Sequence, residues 1–261
     1  MSHWKKFWSV IGIIALILSL FVGTATAKKD VLVVMQEAEP VGLDLMRSSI
    51  QTTMSVCYNI HDTLFAPQED ASVKPRIAES WEKVDDLTWK IHIRHGVTFH
   101  NGEPVNAQAV KFSFERAFKD SLKNPHKGKL SAFKEVKVLD DYTILITTKE
   151  PYAPGLYILG YYLPIVPPKY IAKVGDEEYN IHPIGCGPYK LEKWVRGEEI
   201  VLTRYEKYYG PKPAFKKIIF KGVPEEASRI AALLTGEADV ISGVSIHQRK
   251  KILASGKAYL T

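Results

Sequence analysis

The sequence predicts a mixed α/β fold, and three observations carry that prediction. Residues 87–116, LTWKIHIRHGVTFHNGEPVNAQAVKFSFER, read as a strand, a turn and a capped helix in succession. Val31 to Met35 is a continuous apolar run, the pattern of a strand buried on both faces. Two pairs of alternating segments are each joined by an Asp-Asp dipeptide, at Asp85-Asp86 and Asp140-Asp141, as hairpins are.

The 261-residue chain opens with Lys5 and Lys6, an apolar core from Val10 to Val22 broken by Gly12 and Ser19, and small residues at Ala25-Thr26-Ala27. That order makes residues 1–27 a cleaved export signal. The alternative is an uncleaved anchor through residues 8–22, but the apolar run is short beside the roughly 20 residues a membrane span needs. No cysteine follows the core, which argues against a lipid anchor. Loss of Lys5 and Lys6 would lower the net charge from +6 to +4. So mild a charge, spread along the chain, argues against a nucleic-acid partner, which would need Lys and Arg clustered on one face. Residues 28–261 suffice for one good core or two modest ones.

After the Val31–Met35 strand, Gln36 to Asp44 is a loop by its Pro40 and Gly42. A helix is expected from about Thr52 to Phe65, with Met54, Cys57, Tyr58, His61, Leu64 and Phe65 along one stripe. Trp81 to Val84 should pair with Leu87 to Arg94, where Trp89, Ile91 and Ile93 alternate with Thr88, Lys90, His92 and Arg94. Asn101-Gly102 and Pro104 mark a turn, and Asn106 stands where an N-cap belongs before a helix over 107–119. Its apolar stripe is Val110, Phe114, Ala117 and Phe118. Val136 to Leu139 should pair with Tyr142 to Thr148.

Pro164, Pro167 and Pro168 mark a change of region. Tyr189 to Trp194 and Ile200 to Tyr205 form a hairpin, and Ile218 to Lys221 is another strand. A helix from Glu225 to Thr235, with Ile230, Leu233 and Leu234 as its stripe, stops at Gly236. Ala238 to Ile241 is a strand, and a further strand begins at 257–261 after another helix.

Little in the chain suggests catalysis. His92, His95 and His100 invite a metal site, but they fall on a strand and a turn, and neither a helical His pair nor HExxH is present. They read as surface or turn-stabilising histidines. Gly185-Cys186-Gly187 lacks the helix and Lys-Ser or Lys-Thr of a phosphate cradle, and there is no Gly-x-Ser-x-Gly elbow. Cys57 and Cys186 are the only cysteines; they are read as buried thiols, with a disulfide as the alternative.

The run Trp89 to Phe114, with Arg94-His95-Gly96-Val97-Thr98-Phe99-His100-Asn101-Gly102 at its centre, resembles the family 5 extracellular solute-binding proteins, the dipeptide, oligopeptide and nickel receptors of ABC importers. Asp62-Thr63-Leu64, Gly185-Cys186-Gly187-Pro188-Tyr189 and Gly236-Glu237-Ala238-Asp239 are similar to further phrases of that family. The resemblance implies a periplasmic-binding-protein-like type II lobe I. Residues 28–50 and 163–261 would form its main α/β subdomain, and 51–162 an inserted, hairpin-rich subdomain. It further implies an exported, periplasmic and non-enzymatic receptor without a cofactor, monomeric, which passes peptides to ABC permease subunits in the inner membrane. Ligand contacts are expected at Glu37, Ala38 and Glu39, with Tyr58, Asn59 and Asp62 facing that loop. The loop's backbone could pair with an extended peptide, and its acids could attract an amino terminus; an exposed acidic loop without a ligand is the plainer alternative.

Family members are longer and close two lobes over their ligand, so the chain reads as their N-terminal part. A fragment, a truncated product and one piece of a split receptor all fit, and weak or absent peptide binding is expected. Nickel, haem or another small solute stays open as the ligand. An exported hydrolase and a membrane-anchored interaction protein are the rival classes.

Overall fold

A computed structural model describes residues 29–259. The expected export signal, residues 1–27, lies outside the described residues. The chain begins with β1 (Val31–Gln36), which leads through a loop and a 3-10 turn (Leu45–Arg47) to α1 (Gln51–Ile60). β2 (Phe65–Pro67) and β3 (Val73–Pro75) pair as a small ribbon. β4 (Ala78–Lys83), β5 (Thr88–Ile93), β6 (Phe133–Asp140) and β7 (Thr143–Thr148) form an antiparallel sheet in the order β4-β5-β7-β6. Both Asp-Asp hairpins are therefore present.

Alternation along β5 does what the sequence implies. Trp89, Ile91 and Ile93 are buried while Thr88, Lys90 and His92 are half-buried. Their core partner is α2 (Ala107–Ala117), which contributes Val110, Phe114 and Ala117. Val110 and Phe114 each stabilise the fold by about 1.5–3 kcal/mol relative to exposure, and the single methyl of Ala117 by less. The Asn106 side chain accepts from the Ala109 amide at 3.0 Å and so starts the helix, while Gly102 supplies the turn before it at φ +87°.

Three more helices follow or interrupt these strands: α3 (Lys127–Leu130), α4 (Gly155–Tyr162) and α5 (Pro168–Ile181). Then come β8 (Tyr189–Val195), β9 (Glu199–Arg204), β10 (Lys217–Gly222), α6 (Glu226–Thr235), β11 (Val240–Ile241) and α7 (Ile246–Ala254). The second sheet runs β11-β1-β10-β9-β8. β1 is parallel to both neighbours, and β10-α6-β11 is a crossover that returns on the far side of β1. β10, β9 and β8 continue as an antiparallel meander.

Several local expectations need correction. The helix expected to reach Phe65 ends at Ile60, because the His61 amide closes on the Cys57 carbonyl and the His61 ring meets the Leu43 carbonyl at 3.2 Å. Thr63 then bridges Pro164 and Phe65 enters β2. β1 is fully buried only at Met35 and Gln36; Val31 to Val34 are half-buried. On α6 the buried face is Arg229, Ile230 and Ala232, whereas Leu233 and Leu234 are half-buried. Residues 257–259 carry no strand, and the rest of that expected strand lies outside the described residues. Helices α4 and α5 had no counterpart in the sequence reading. Cys57 and Cys186 are free, buried thiols, and burial pushes both well above the usual thiol range.

A buried ion pair ties α2 to the segment after β1. Arg116 is wholly buried and donates to Asp44 Oδ2 at 2.6 Å and to Asp176 Oδ1, with the Tyr179 ring 5.1 Å from its guanidinium carbon. A second tie fastens the Gly185-Cys186-Gly187 turn. The His100 amide donates to the Gly185 carbonyl at 2.8 Å, His100 Nδ1 accepts from the Gly185 amide, and Nε2 donates to the Gly187 carbonyl at 3.0 Å. Gly185 is required here, since a Cβ would sit 2.0 Å from the Ile60 carbonyl oxygen.

Candidate functional site

The C-terminal ends of β11, β1 and β10 lie side by side, with Met35 opposite Ile241 and Gln36 opposite Gly222. The crossover makes this the crevice outside the carboxyl ends of parallel strands, where open α/β sheets bind ligands. Just past those ends stand Glu37, Val223 and Ser242. Gly222 lets the loop pass closely, because a Cβ there would lie 2.8 Å from the Glu39 amide nitrogen.

Glu37 is exposed and its Oε2 accepts from the Ser242 hydroxyl at 2.7 Å. That bond, with the Arg229 guanidinium nearby, holds its carboxyl below the usual carboxylate range, so it presents a negative charge at neutral pH. Arg229 is 2% exposed and donates to four carbonyls: Val223 at 2.6 Å, Pro224 at 2.7 Å, Ser242 at 3.0 Å and Gly243 at 2.8 Å. It thereby fixes the two loops that flank the Glu37 loop. Ala38 is exposed beside Glu37.

Glu39 is oriented differently. One carboxylate oxygen accepts from the Trp194 indole and the other from the Gly197 amide at 2.9 Å. Arg196 stacks on Trp194 at 3.4 Å and donates to the Pro40 carbonyl, which pins the far end of the loop. A cavity of about 30 Å³ between Gln36, Glu39, Glu199 and Phe220 has room for about one water.

α1 packs against the end of β1 through the buried Gln36 side chain. The Gln36 amide donates to the Thr52 carbonyl at 3.1 Å and accepts from the Ser55 hydroxyl at 2.8 Å. The accessible stripe of α1 is Gln51, Ser55, Tyr58 and Asn59, at the i, i+4, i+7, i+8 spacing of one helix face. The Tyr58 hydroxyl donates to the Tyr161 carbonyl at 3.0 Å, and burial raises its pKa. Asn59 donates to the Ser55 carbonyl at 2.8 Å.

Of the six expected contacts, Glu37 and Ala38 are exposed on the loop after β1 and Tyr58 and Asn59 are half-buried on α1, while the Glu39 carboxylate faces Trp194. Asp62 lies beneath the surface at 1% exposure, accepting from the Tyr208 and Tyr209 hydroxyls at 3.0 and 2.7 Å. Burial raises its pKa against the pull of Arg76, whose Nε is 2.8 Å from Oδ1 but not aligned for a hydrogen bond. Sequence reasoning missed Arg229 and Ser242, and nothing local would have found them.

The three histidines do not converge on one site. His92 and His95 border an open depression of about 520 Å³ with Glu79 and Asp140, while His100 is committed to the Gly185 turn. Among the described residues no group of three or more His, Cys, Asp or Glu side chains is placed to hold a metal ion. Among the same residues no helix is long and apolar enough to cross a membrane.

Comparison with known proteins gives a consistent picture. Residues 72–259 match the family model described as bacterial extracellular solute-binding proteins, family 5 Middle. The chain is 30% identical over 250 residues to the probable D,D-dipeptide-binding periplasmic protein DdpA of Escherichia coli (strain K12), covering 90% of this chain and 48% of that protein. It is 31% identical over 193 residues to the nickel-binding periplasmic protein of the same organism, covering 70% of this chain and 36% of that one. Among solved structures, the periplasmic binding protein DppA from Helicobacter pylori, in complex with peptide STSA, superposes with a TM-score of 0.76 at 29% identity, over 85% of this chain and 48% of that one. The binding protein AgaA of A. tumefaciens R10, in complex with agropinic acid, gives a TM-score of 0.80 at 29% identity, over 86% and 46%. The chain spans between 36% and 48% of the length of these relatives. The mixed α/β fold expected from the sequence is thus the fold of solved periplasmic binding proteins. This chain belongs to the bacterial extracellular solute-binding proteins, family 5.

Proposed function

We propose that the chain is the peptide-capturing part of an exported receptor that serves ABC permease subunits, and that it binds without doing chemistry. Its division into a main subdomain (28–50, 163–261) and an insert (51–162) is part of the same reading. So is export to the periplasm through residues 1–27. The observation that carries the proposal is the ionised, exposed Glu37 at the joint C-terminal ends of three parallel strands, held by Ser242 and Arg229. Such a carboxylate suits the amino terminus of a peptide, and the adjoining loop backbone at Ala38 can pair with extended chain. Relatives described as binding a D,D-dipeptide and a four-residue peptide support the choice of ligand class.

Calorimetric titration of the full chain with short peptides tests this. Saturable binding is expected, weak because one wall encloses little of a ligand. Glu37→Gln should weaken peptides with a free amino terminus by about two- to fivefold, the range of an exposed ion pair, and leave N-acetylated peptides unchanged. Equal effects on both kinds of peptide would refute the assignment of Glu37.

A further inference from the structure

The Glu37 carboxylate lies against groups that arrive from distant parts of the chain. Its Oε2 accepts from the Ser242 hydroxyl at 2.7 Å, and the carboxylate also leans on its own backbone amide. Gly243 follows at φ +65°, and a Cβ there would stand 2.8 Å from Oε2 and 3.1 Å from both the carboxylate carbon and Arg229 Nη2. The bare Gly243 backbone therefore covers one side of the carboxylate, and the Arg229 guanidinium stands close by on that side. Arg229 spends its hydrogen bonds on four carbonyls rather than on Glu37, but its positive charge remains.

The two oxygens are thus unequal. Oε2 has a hydroxyl, a backbone and a cation around it, whereas among the described residues no other residue donates to Oε1. A guanidinium binds a carboxylate as a planar fork that needs both oxygens. An ammonium is a compact point charge with rotatable donors, and one oxygen suffices for it. At Glu37 the second arm of a fork would meet the Ser242 hydroxyl and bring its charge toward Arg229. Glu37 is exposed, so an ammonium can reach Oε1 from solvent without disturbing either.

We infer that Ser242, backed by Gly243 and Arg229, makes Glu37 selective for a ligand's ammonium group over a guanidinium. Ser242 is then a specificity-determining residue: by occupying Oε2 it leaves a single oxygen for the ligand. The ligand end placed here is a free amino terminus or another primary amine, and an arginine side chain is turned away. This deepens the peptide reading and rests on it.

Three probes test the inference by calorimetry or NMR titration of the full chain at about pH 6, where an α-amine is charged. They are Ala-Ala-Ala, the same peptide with its amine converted to a guanidine, and N-acetyl-Ala-Ala-Ala. The first two carry equal charge, so only the shape of the cation differs. Ala-Ala-Ala should bind about two- to fivefold more tightly than the guanidino peptide, the range of one exposed ion-pair contact. Ser242→Ala should erase that preference, and Ser242→Thr, which keeps the hydroxyl, should retain it. Equal binding of the two cations by the parent, or a preference that survives Ser242→Ala, overturns the inference; tighter binding of Ala-Ala-Ala than of the acetylated peptide then still upholds the peptide reading. Ala-Ala-Ala binding no tighter than the acetylated peptide, or no saturable binding at all, refutes the Glu37 assignment and the inference with it.

Discussion

Replacing Arg116 with methionine should destabilise the fold by about 3–5 kcal/mol, the cost of leaving one member of a buried ion pair alone. The structure sets why the cost is this large. Arg116 and Asp44 are 0% and 1% exposed at the side chain, so neither can recover water when its partner is lost. In the variant the Asp44 carboxylate keeps the Met46 amide, at 3.0 Å, but loses the two guanidinium donors at 2.6 and 3.3 Å. The more exposed Asp176, at 28%, can turn to water and adds little. Converted at about 2–4 °C per kcal/mol for a chain of this size, the midpoint of thermal unfolding should fall by roughly 6–20 °C. Urea unfolding followed by far-UV circular dichroism gives the free energy directly. The double variant Asp44→Asn with Arg116→Met removes the orphaned charge, keeps a side-chain oxygen for the Met46 amide, and should recover at least about 1 kcal/mol. A loss below about 1 kcal/mol in Arg116→Met, or a double variant no more stable than the single one, would refute the reasoning.

Two further outcomes follow from the tie between His100 and the Gly185 turn. Burial lowers the His100 pKa from 6.5 to about 4. The unfolded chain therefore binds the extra proton first, and stability is full above pH 6.5 and lost as pH falls toward 4. The loss is at most about 3.5 kcal/mol at 1.36 kcal/mol per pH unit. Buried Asp62, with its raised pKa, works in the opposite sense, so the His100→Gln variant is the needed control. Urea midpoints should slope across that window in the parent more than in His100→Gln; parallel slopes would remove His100 as the cause. Gly185→Ala should cost at least about 2 kcal/mol, because its Cβ meets backbone at 2.0 Å and overpacking against backbone finds little relief. Gly96→Ala, at φ +74° with nothing near, should cost about 1 kcal/mol, and equal thermal midpoints for the two variants would contradict the close approach.

The readable parts of the fold were those governed by neighbours in sequence. The β4-β5 and β6-β7 hairpins declare themselves because alternation and the turn lie within a dozen residues. The α2 N-cap is equally local. By contrast, α1 was drawn too long because His61, Leu64 and Phe65 continue its apolar spacing, while what stops the helix is the Leu43 carbonyl and pairing with Pro75. α5 did carry a signal, Pro168 at its first turn, but Gly175 at φ +83° interrupts the helical pattern. At the candidate site, the Glu37 loop could be located from sequence, yet the hydroxyl that orients Glu37 arrives from Ser242. Arg229 was illegible for another reason. A charged residue reads as exposed, and only four carbonyls brought together by the fold make its burial tolerable.

The place of β1 between β10 and β11 also fixes an order of events. Its partners, Lys217–Gly222 and Val240–Ile241, are separated from it by most of the chain. At about 5–20 residues per second, a ribosome needs on the order of ten to forty seconds to supply them after β1 emerges. The β4-to-β7 sheet needs nothing beyond Thr148 for its own pairing. Until residue 222 exists, the apolar Val31-Leu32-Val33-Val34-Met35 run has no native strand on either side, and its backbone is an open edge to any passing chain. The strand that carries the Glu37 loop is thus the first made and among the last paired, so the candidate binding surface comes into being only when the sheet closes.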